Sequence, residues 1–150
     1  MFATLIAVFG TLAGTVVAGL MQHLTAARTA RAALAERRRE ALAGAVPALL
    51  AALVGHREQQ YLKIAARREG REDTPEARSA RYAARSAVTS AMDTLHMVTR
   101  DAELLTLAQD AVNAAMAVGD APEGELDAAG LRARKAHTAL REAGARYVYA

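Results

Sequence analysis

The first 27 residues contain no Asp, Glu, Lys or Arg, and arginines then follow in close succession. Residues 1–21 are apolar apart from three threonines and three glycines. About 20 helical residues, each rising 1.5 Å, are needed to cross a hydrocarbon layer of about 30 Å. This pattern predicts a transmembrane anchor at residues 1–22, followed by a basic juxtamembrane helix at 23–46 and a helical domain at 47–150.

Apolar residues in the remaining sequence recur at steps of three and four, which is the period of an amphipathic helix. The first helix after the anchor has the stripe Val46, Leu49, Leu50, Leu53, Tyr61 and Ile64. The second has Ala77, Ala80, Ala84, Ala87, Val88, Ala91, Met92 and Leu95. The third has Leu104, Leu105, Ala108, Ala111, Val112, Ala115 and Met116, and the fourth has Leu126, Ala129, Ala133, Ala136, Leu140 and Ala143.

Glycine, proline and small polar residues predict where these helices begin and end. Pro47 predicts a kink or break at residues 44–46, because its ring removes a backbone donor and clashes with the preceding turn. The linker is GREDTP at residues 70–75, in which Thr74 is suited to cap the next helix. Asp101 is the candidate cap of the third helix. Gly119 is the candidate C-cap before a loop at 119–124, and the last helix is expected at about 125–147.

The composition supports an all-α fold. Hydrophobic residues make up 53% of the 150 residues and aromatic residues only 4%, and alanine, the best helix former, is abundant. The breaks at Gly and Pro favour a short antiparallel bundle over one long coiled coil. The predicted fold is therefore an N-terminal transmembrane helix that continues into a small antiparallel helical bundle.

Charge is unevenly distributed along the chain, although the net charge is only +3. Counting Lys, Arg, Asp and Glu, residues 22–71 carry +6, residues 72–127 carry −7 and residues 128–150 carry +4. The acidic middle helices could attract the basic flanking helices within the domain, although exposed pairs contribute little each. The absence of cysteine excludes disulfides, cysteine-ligated zinc and thiol catalysis.

The apolar N-terminal run differs from a secretory signal in two respects. No Lys or Arg precedes it, and it is longer than a usual signal core. Cleavage near the small residues Ala18 and Gly19 stays open as an alternative. The arginines Arg28, Arg31, Arg37, Arg38 and Arg39 lie after the run. By the positive-inside rule they place the N-terminus outside and the following domain in the cytoplasm, where they would face anionic lipid.

The predicted anchor has a face of small residues. Gly10, Gly14 and Ala18 are spaced by four, and residues 10–14 form a GxxxG motif. Small side chains let helices approach closely in lipid, so this face is a candidate interface with a second copy of the chain or with another membrane protein. Gly and Ala are also common in transmembrane helices generally, and the two interpretations have similar weight.

No arrangement of residues in the sequence indicates catalysis or a bound cofactor. His23, His56, His96 and His137 are far apart and lack metal-ligand spacing, and we expect structural or surface roles, with His96 partly buried. Phosphate-binding loops and serine-nucleophile motifs are missing. The acidic residues Glu69, Glu72, Asp73 and Glu76 are interpreted as a solvated turn. We therefore expect a protein that is not an enzyme and that needs neither a metal nor a cofactor.

The arginine run at residues 37–39 could also contact nucleic acid. Nucleic-acid modules usually add aromatic side chains for stacking or a defined reading element, and the run has no aromatic neighbour. Membrane topology and lipid contact explain the run more simply, so nucleic acid is a disfavoured partner.

The segment LIAVFGTLAGTVVAGLMQHLTAARTAR, residues 5–31, resembles the start of the KilB proteins of Streptomyces. The similar features are the I-A-V-x-G-T-L-A-G core, the QHLTAAR that follows the anchor, and an Ala/Arg-rich helical remainder, with ARSAVTSAM at residues 84–92 in the same style. The resemblance implies a membrane-associated actinobacterial protein that helps conjugative plasmids spread. It supplies no catalytic residues.

Together these features predict a non-enzymatic single-pass membrane protein whose cytoplasmic helices bind one another or a partner, with plasmid spread as the candidate process. Two alternatives stay open. One is an exported helical domain whose N-terminal signal is removed, and the other is a membrane-tethered nucleic-acid-binding protein.

Overall fold

A computed structural model describes the backbone of residues 2–149 and the side chains of residues 21–147. This part of the chain is all-α, as predicted. The helices are α1 (Phe2–Arg68), α2 (Pro75–Val98), α3 (Ala102–Ala117) and α4 (Leu126–Tyr149). Two 3-10 turns, Val118–Asp120 and Glu123–Glu125, connect α3 to α4. The chain divides into two compact units, residues 1–37 and residues 38–150, and the second unit is the helical bundle.

α4 runs antiparallel to both α1 and α3. Val46 of α1 contacts Gly144 of α4, whereas Arg57, further along α1, donates from Nη1 to the carbonyl oxygen of Ala133 at 3.3 Å. Residue numbers therefore rise along one helix as they fall along the other. Arg146 of α4 likewise lies 3.4 Å from Glu103 at the start of α3.

Of the kink or break predicted at residues 44–46, the break is wrong, because α1 continues through Pro47 to Arg68. Pro47 is exposed, whereas Val46 and Leu49 on either side of it are buried in the same core. A proline inside a helix costs about 3 kcal/mol. Burial of the apolar side chains on both sides of Pro47 offsets that cost. The periodicity of the sequence alone does not show that both side chains are buried in one core.

The predicted caps Thr74 and Asp101 are confirmed, and α1 ends just before the predicted linker at 70–75. Thr74 Oγ1 accepts a hydrogen bond from the N–H of Ala77 at 3.2 Å, with Pro75 as the first helical residue. Asp101 Oδ1 accepts from the N–H of Leu104 at 2.9 Å and starts α3. Gly70 follows the end of α1 with φ of 67°, a left-handed conformation that glycine adopts without strain.

The predicted C-cap at Gly119 is wrong. α3 ends at Ala117, and Gly119 lies inside the 3-10 turn Val118–Asp120 without a positive φ. The space beside Gly119 is instead filled by the end of the Gln60 side chain of α1, which a β-carbon at this position would displace.

Two clusters of buried side chains form the core, and alanines contribute much of both. The larger cluster includes Leu49, Leu53, Leu95, Leu104 and Leu140 with the α3 alanines. The smaller cluster joins Ile64, Val118 and Leu126 to Ala129 and Ala133. Small side chains at successive turns let α3 and α4 pack closely, so the predicted inward faces of these two helices are confirmed, with Leu105, Val112, Met116 and Ala136 only half-buried.

The predicted inward face of α2 is correct only for its second half. Val88, Met92 and Leu95 are buried, whereas Ala80 and Ala87 are exposed and Ala77 and Ala84 are half-buried. Alanine is common on both exposed and buried helix faces, so its spacing is a weak guide to burial. The first half of α2 borders an open cleft instead of the core.

Within residues 21–147, the structure contains no helix that is long and apolar enough to cross a membrane. The predicted anchor at residues 1–22 lies almost wholly outside the described side chains. Its candidate interface residues, Gly10, Gly14 and Ala18, lie outside them entirely.

Candidate functional site

A cleft of about 400 Å³ separates α1 from the first half of α2. We call it the α1–α2 cleft. The last turn of α3 and the 3-10 turn after it also contribute to its lining. The lining residues are His56, Gln60, Lys63, Asp73, Arg78, Arg81, Tyr82, Arg85, Met116, Gly119 and Asp120.

His56 is the most deeply buried polar residue of the cleft, with 3% of its surface exposed. Its Nε2 lies 3.5 Å from Nε2 of Gln60, and its Nδ1 has no hydrogen-bond partner among the described residues. Burial, followed by the positive charge of Arg85, lowers the pKa of His56 below its usual 6.5. The imidazole is therefore neutral at pH 7.

Asp73 positions two arginines at the end of the cleft. Nη2 of Arg81 lies 2.6 Å from both carboxylate oxygens of Asp73, and Nη1 of Arg78 donates to the Asp73 carbonyl oxygen at 2.6 Å. The hydrogen bond from Arg81 is the main reason why the pKa of Asp73 is lowered. The side chain of Arg81 is only 16% exposed, so this pair holds a guanidinium group partly inside the cleft.

The lining has more positive than negative charge. Four basic residues, Lys63, Arg78, Arg81 and Arg85, face two acidic residues, Asp73 and Asp120. No carboxylate of the described residues lies within ion-pair distance of Lys63 or Arg85. Convergent cations beside a neutral buried histidine are suited to holding an anion.

Sequence reasoning missed this cleft and interpreted Asp73 only as part of a solvated turn. A signal was present, since Arg78, Arg81 and Arg85 follow at steps of three and four and share one face of α2. What could not be seen was that His56, Gln60 and Lys63 of α1 lie opposite that face.

The five arginines assigned to lipid contact lie in the exposed segment 21–40. Every residue from 21 to 40 is helical and exposed, including Arg28, Arg31, Arg37, Arg38 and Arg39. The apolar side chains Met21, Leu24 and Leu34 are exposed as well, at 62%, 50% and 69%. Both the basic and the apolar side chains of this segment are therefore accessible for contacts beyond the described part of the chain.

The histidines are not brought together. His23 and His96 are exposed, so the expected partial burial of His96 is wrong, whereas His137 is half-buried. Across the described residues, no three His, Cys, Asp or Glu side chains are placed to hold a metal ion.

Comparison with known proteins identifies the family. The family described as KilB plasmid transfer protein matches residues 43–148. This chain belongs to the KilB family. A curated relative, protein KilB of Streptomyces lividans, is 44% identical over 102 residues. That match covers 65% of this chain and 65% of the relative. No solved structure matches the chain.

The KilB match covers a different part of the chain from the main resemblance noted in the sequence. Residues 5–31 precede the matched region, whereas residues 84–92 lie inside it. The expected family is thus confirmed through the helical bundle. The α1–α2 cleft lies wholly within the matched residues, and the exposed segment 21–40 lies before them.

Proposed function

We propose that this KilB family member is a non-enzymatic, membrane-anchored protein of plasmid transfer. Residues 1–22 insert into the membrane, and the bundle binds a second copy of the chain or another membrane protein. The observation that carries the proposal is the exposed segment 21–40, which joins an uncharged run of 27 residues to the family-matched bundle. A helical segment whose side chains are all exposed gains little stability from packing in water and is suited to external contacts.

The charge pattern supports one orientation. Five arginines and two glutamates lie between residues 28 and 40, so the side of the anchor facing the bundle is basic. Basic residues flanking a span are retained in the cytoplasm and attract anionic lipid headgroups. The bundle is accordingly cytoplasmic, and the N-terminus is outside.

The small-residue face of the anchor adds a second surface for partner binding, within the membrane. Gly10, Gly14 and Ala18 would let a second transmembrane helix approach closely, since packing in lipid depends on close contact of backbones. This face suits another anchor of the same sequence or a helix of another membrane protein of the transfer apparatus.

Membrane fractionation of the full chain tests the anchor. The wild-type chain should remain in the pellet after carbonate extraction, and Leu12→Arg should release it, because arginine at the centre of a span costs about 2.5–3.5 kcal/mol on the insertion scale. Leu131→Arg, on the exposed surface of α4, is the matched control and should stay in the pellet. Recovery of the wild-type chain in the supernatant would refute the anchor.

Three further measurements test cleavage of the N-terminus, the orientation of the chain and the interface of the anchor. Intact mass of the mature protein distinguishes an uncleaved anchor from a removed signal, in which about 20 residues would be missing. A reporter fused after Ala150 should respond as a cytoplasmic one, and crosslinking through Gly14→Cys should yield a covalent dimer or a conjugate with another membrane protein. Crosslinking of Leu12→Cys with equal efficiency would show that the glycine face is not the interface.

A further inference from the structure

The proposed function uses the anchor, the exposed segment 21–40 and the bundle surface, but it leaves the α1–α2 cleft without a role. The cleft volume of about 400 Å³ falls within the usual range for small-molecule sites, about 300–1,000 Å³. It is also far larger than a single water requires, about 30 Å³. The cleft therefore has room for an organic molecule.

The charge of the lining indicates which class of molecule fits. Four basic side chains against two acidic ones leave a surplus of two positive charges. Asp73 occupies only Nη2 of Arg81, so the donors on Nε and Nη1 of Arg81 have no partner among the described residues. A phosphate monoester carries a charge of about −1.5 to −2 at pH 7 and has three strong acceptor oxygens, which match this surplus and these donors.

His56 adds a buried donor. The amide nitrogen of Gln60 can only donate, so Nε2 of His56 accepts from it, and the proton of the neutral ring lies on Nδ1. That N–H group is buried and has no hydrogen-bond partner within residues 21–147. A buried unpaired donor is costly, so an acceptor supplied by a ligand in the cleft would remove the cost.

We propose that the α1–α2 cleft binds a small phosphate monoester. Arg81, Arg85 and Lys63 hold the phosphate oxygens, and Asp73 keeps Arg81 in position. The N–H of His56 supplies a neutral donor at the buried side of the cleft. A nucleic-acid backbone fits less well, because each of its phosphates carries a single charge and the cations here converge on one cavity instead of following an extended groove.

Isothermal titration calorimetry of the full chain in detergent micelles tests the proposal, with glycerol 3-phosphate and inorganic phosphate as probes. One equivalent of glycerol 3-phosphate should bind per chain at physiological salt. Arg85→Gln should weaken binding by roughly tenfold or more, since it removes a charge-assisted hydrogen bond. Arg132→Gln, an exposed arginine on α4 outside the cleft, is the matched control and should leave binding unchanged.

The source of the phosphate is tested in lipid nanodiscs. If the natural ligand is free in solution, glycerol 3-phosphate should bind equally well to the chain in nanodiscs with and without phosphatidic acid. If a lipid headgroup occupies the cleft, phosphatidic acid should abolish the binding of glycerol 3-phosphate in an Arg85-dependent manner. Both results support a monoester site and differ only in its ligand.

Three results would overturn the proposal. They are the absence of saturable binding of either probe, an equal loss in Arg132→Gln, and displacement of glycerol 3-phosphate by a DNA duplex, which would make the cleft part of a nucleic-acid surface. If circular dichroism shows that Arg85→Gln lowers the helix content, Lys63→Gln replaces it, with the same expected loss of binding.

Discussion

The side chain of Val46 on α1 fills the space in which a β-carbon on Gly144 of α4 would lie. An added β-carbon would be 2.6 Å from Cγ1 of Val46 and 3.3 Å from its Cβ. Both residues are buried, and Val46 belongs to the larger core cluster. α1 and α4 are therefore held together by a close contact that depends on the missing side chain.

Gly144→Ala should destabilise the bundle by about 1–3 kcal/mol, because a branched side chain on a helix has little freedom to move away. This loss outweighs the gain of up to about 1 kcal/mol in helix propensity. Gly44→Ala is the matched control, since nothing lies within 4 Å of its β-carbon position, and it should stabilise. Urea unfolding followed by circular dichroism measures both, and equal effects of the two variants would contradict the contact.

Asp101→Ala should lower the free energy of unfolding by about 1 kcal/mol through loss of the cap of α3. The carboxylate accepts from the N–H of Leu104, and this bond is the main reason why the pKa of Asp101 is lowered. Asp93→Ala, at an exposed position inside α2, should be neutral or slightly stabilising. Thermal unfolding at pH 7 compares the two variants. An equal loss of stability in both would show that the lost negative charge, and not the lost helix cap, causes the effect.

Stability should fall as the pH drops below about 6.5. Burial lowers the pKa of both His56 and His137 in the folded chain. The unfolded chain therefore takes up protons at a higher pH than the folded chain, and each histidine contributes at most about 1.4 kcal/mol per pH unit until its folded pKa is reached. The variant His56→Gln should have a flatter profile between pH 7.5 and 5.5, as measured by urea unfolding. An unchanged slope in both His56→Gln and His137→Gln would contradict this assignment.

Leu140→Ala should cost about 2–5 kcal/mol, because it removes a fully buried side chain from the larger core cluster and leaves a cavity. Leu131→Ala, on the same helix but 47% exposed, should change stability by less than about 1 kcal/mol. Denaturant midpoints compare the two variants, and similar midpoints would show that the α4 stripe is not the packed face.

The helix ends could be predicted wherever a local interaction sets them. Thr74 and Asp101 cap helices through donors three residues further along the chain, and Gly70 adopts a left-handed conformation just past the end of α1. The leucine stripes were also informative, since Leu95, Leu104 and Leu140 have few alternatives to burial. The all-α class followed from these periodic stripes and from the composition, whereas the KilB family was predicted mainly from the motif at residues 5–31, and both predictions are confirmed.

Several features could not be predicted because they depend on contacts between residues that are distant in the sequence. Whether α1 continues past Pro47 depends on what buries Val46 and Leu49, and the space beside Gly119 is filled by Gln60, which is 59 residues earlier. The α1–α2 cleft likewise exists because His56 of α1 lies opposite the arginine face of α2.

The order of residues along this chain is enough to specify the helices, their caps and most inward faces, because those depend on neighbours within one or two turns. The continuity of α1, the exposed first half of α2 and the basic cleft follow from the packing of the bundle. The physical reason is that the free energy of each of these three features depends on contacts between side chains that are distant in the sequence and meet only in the folded bundle.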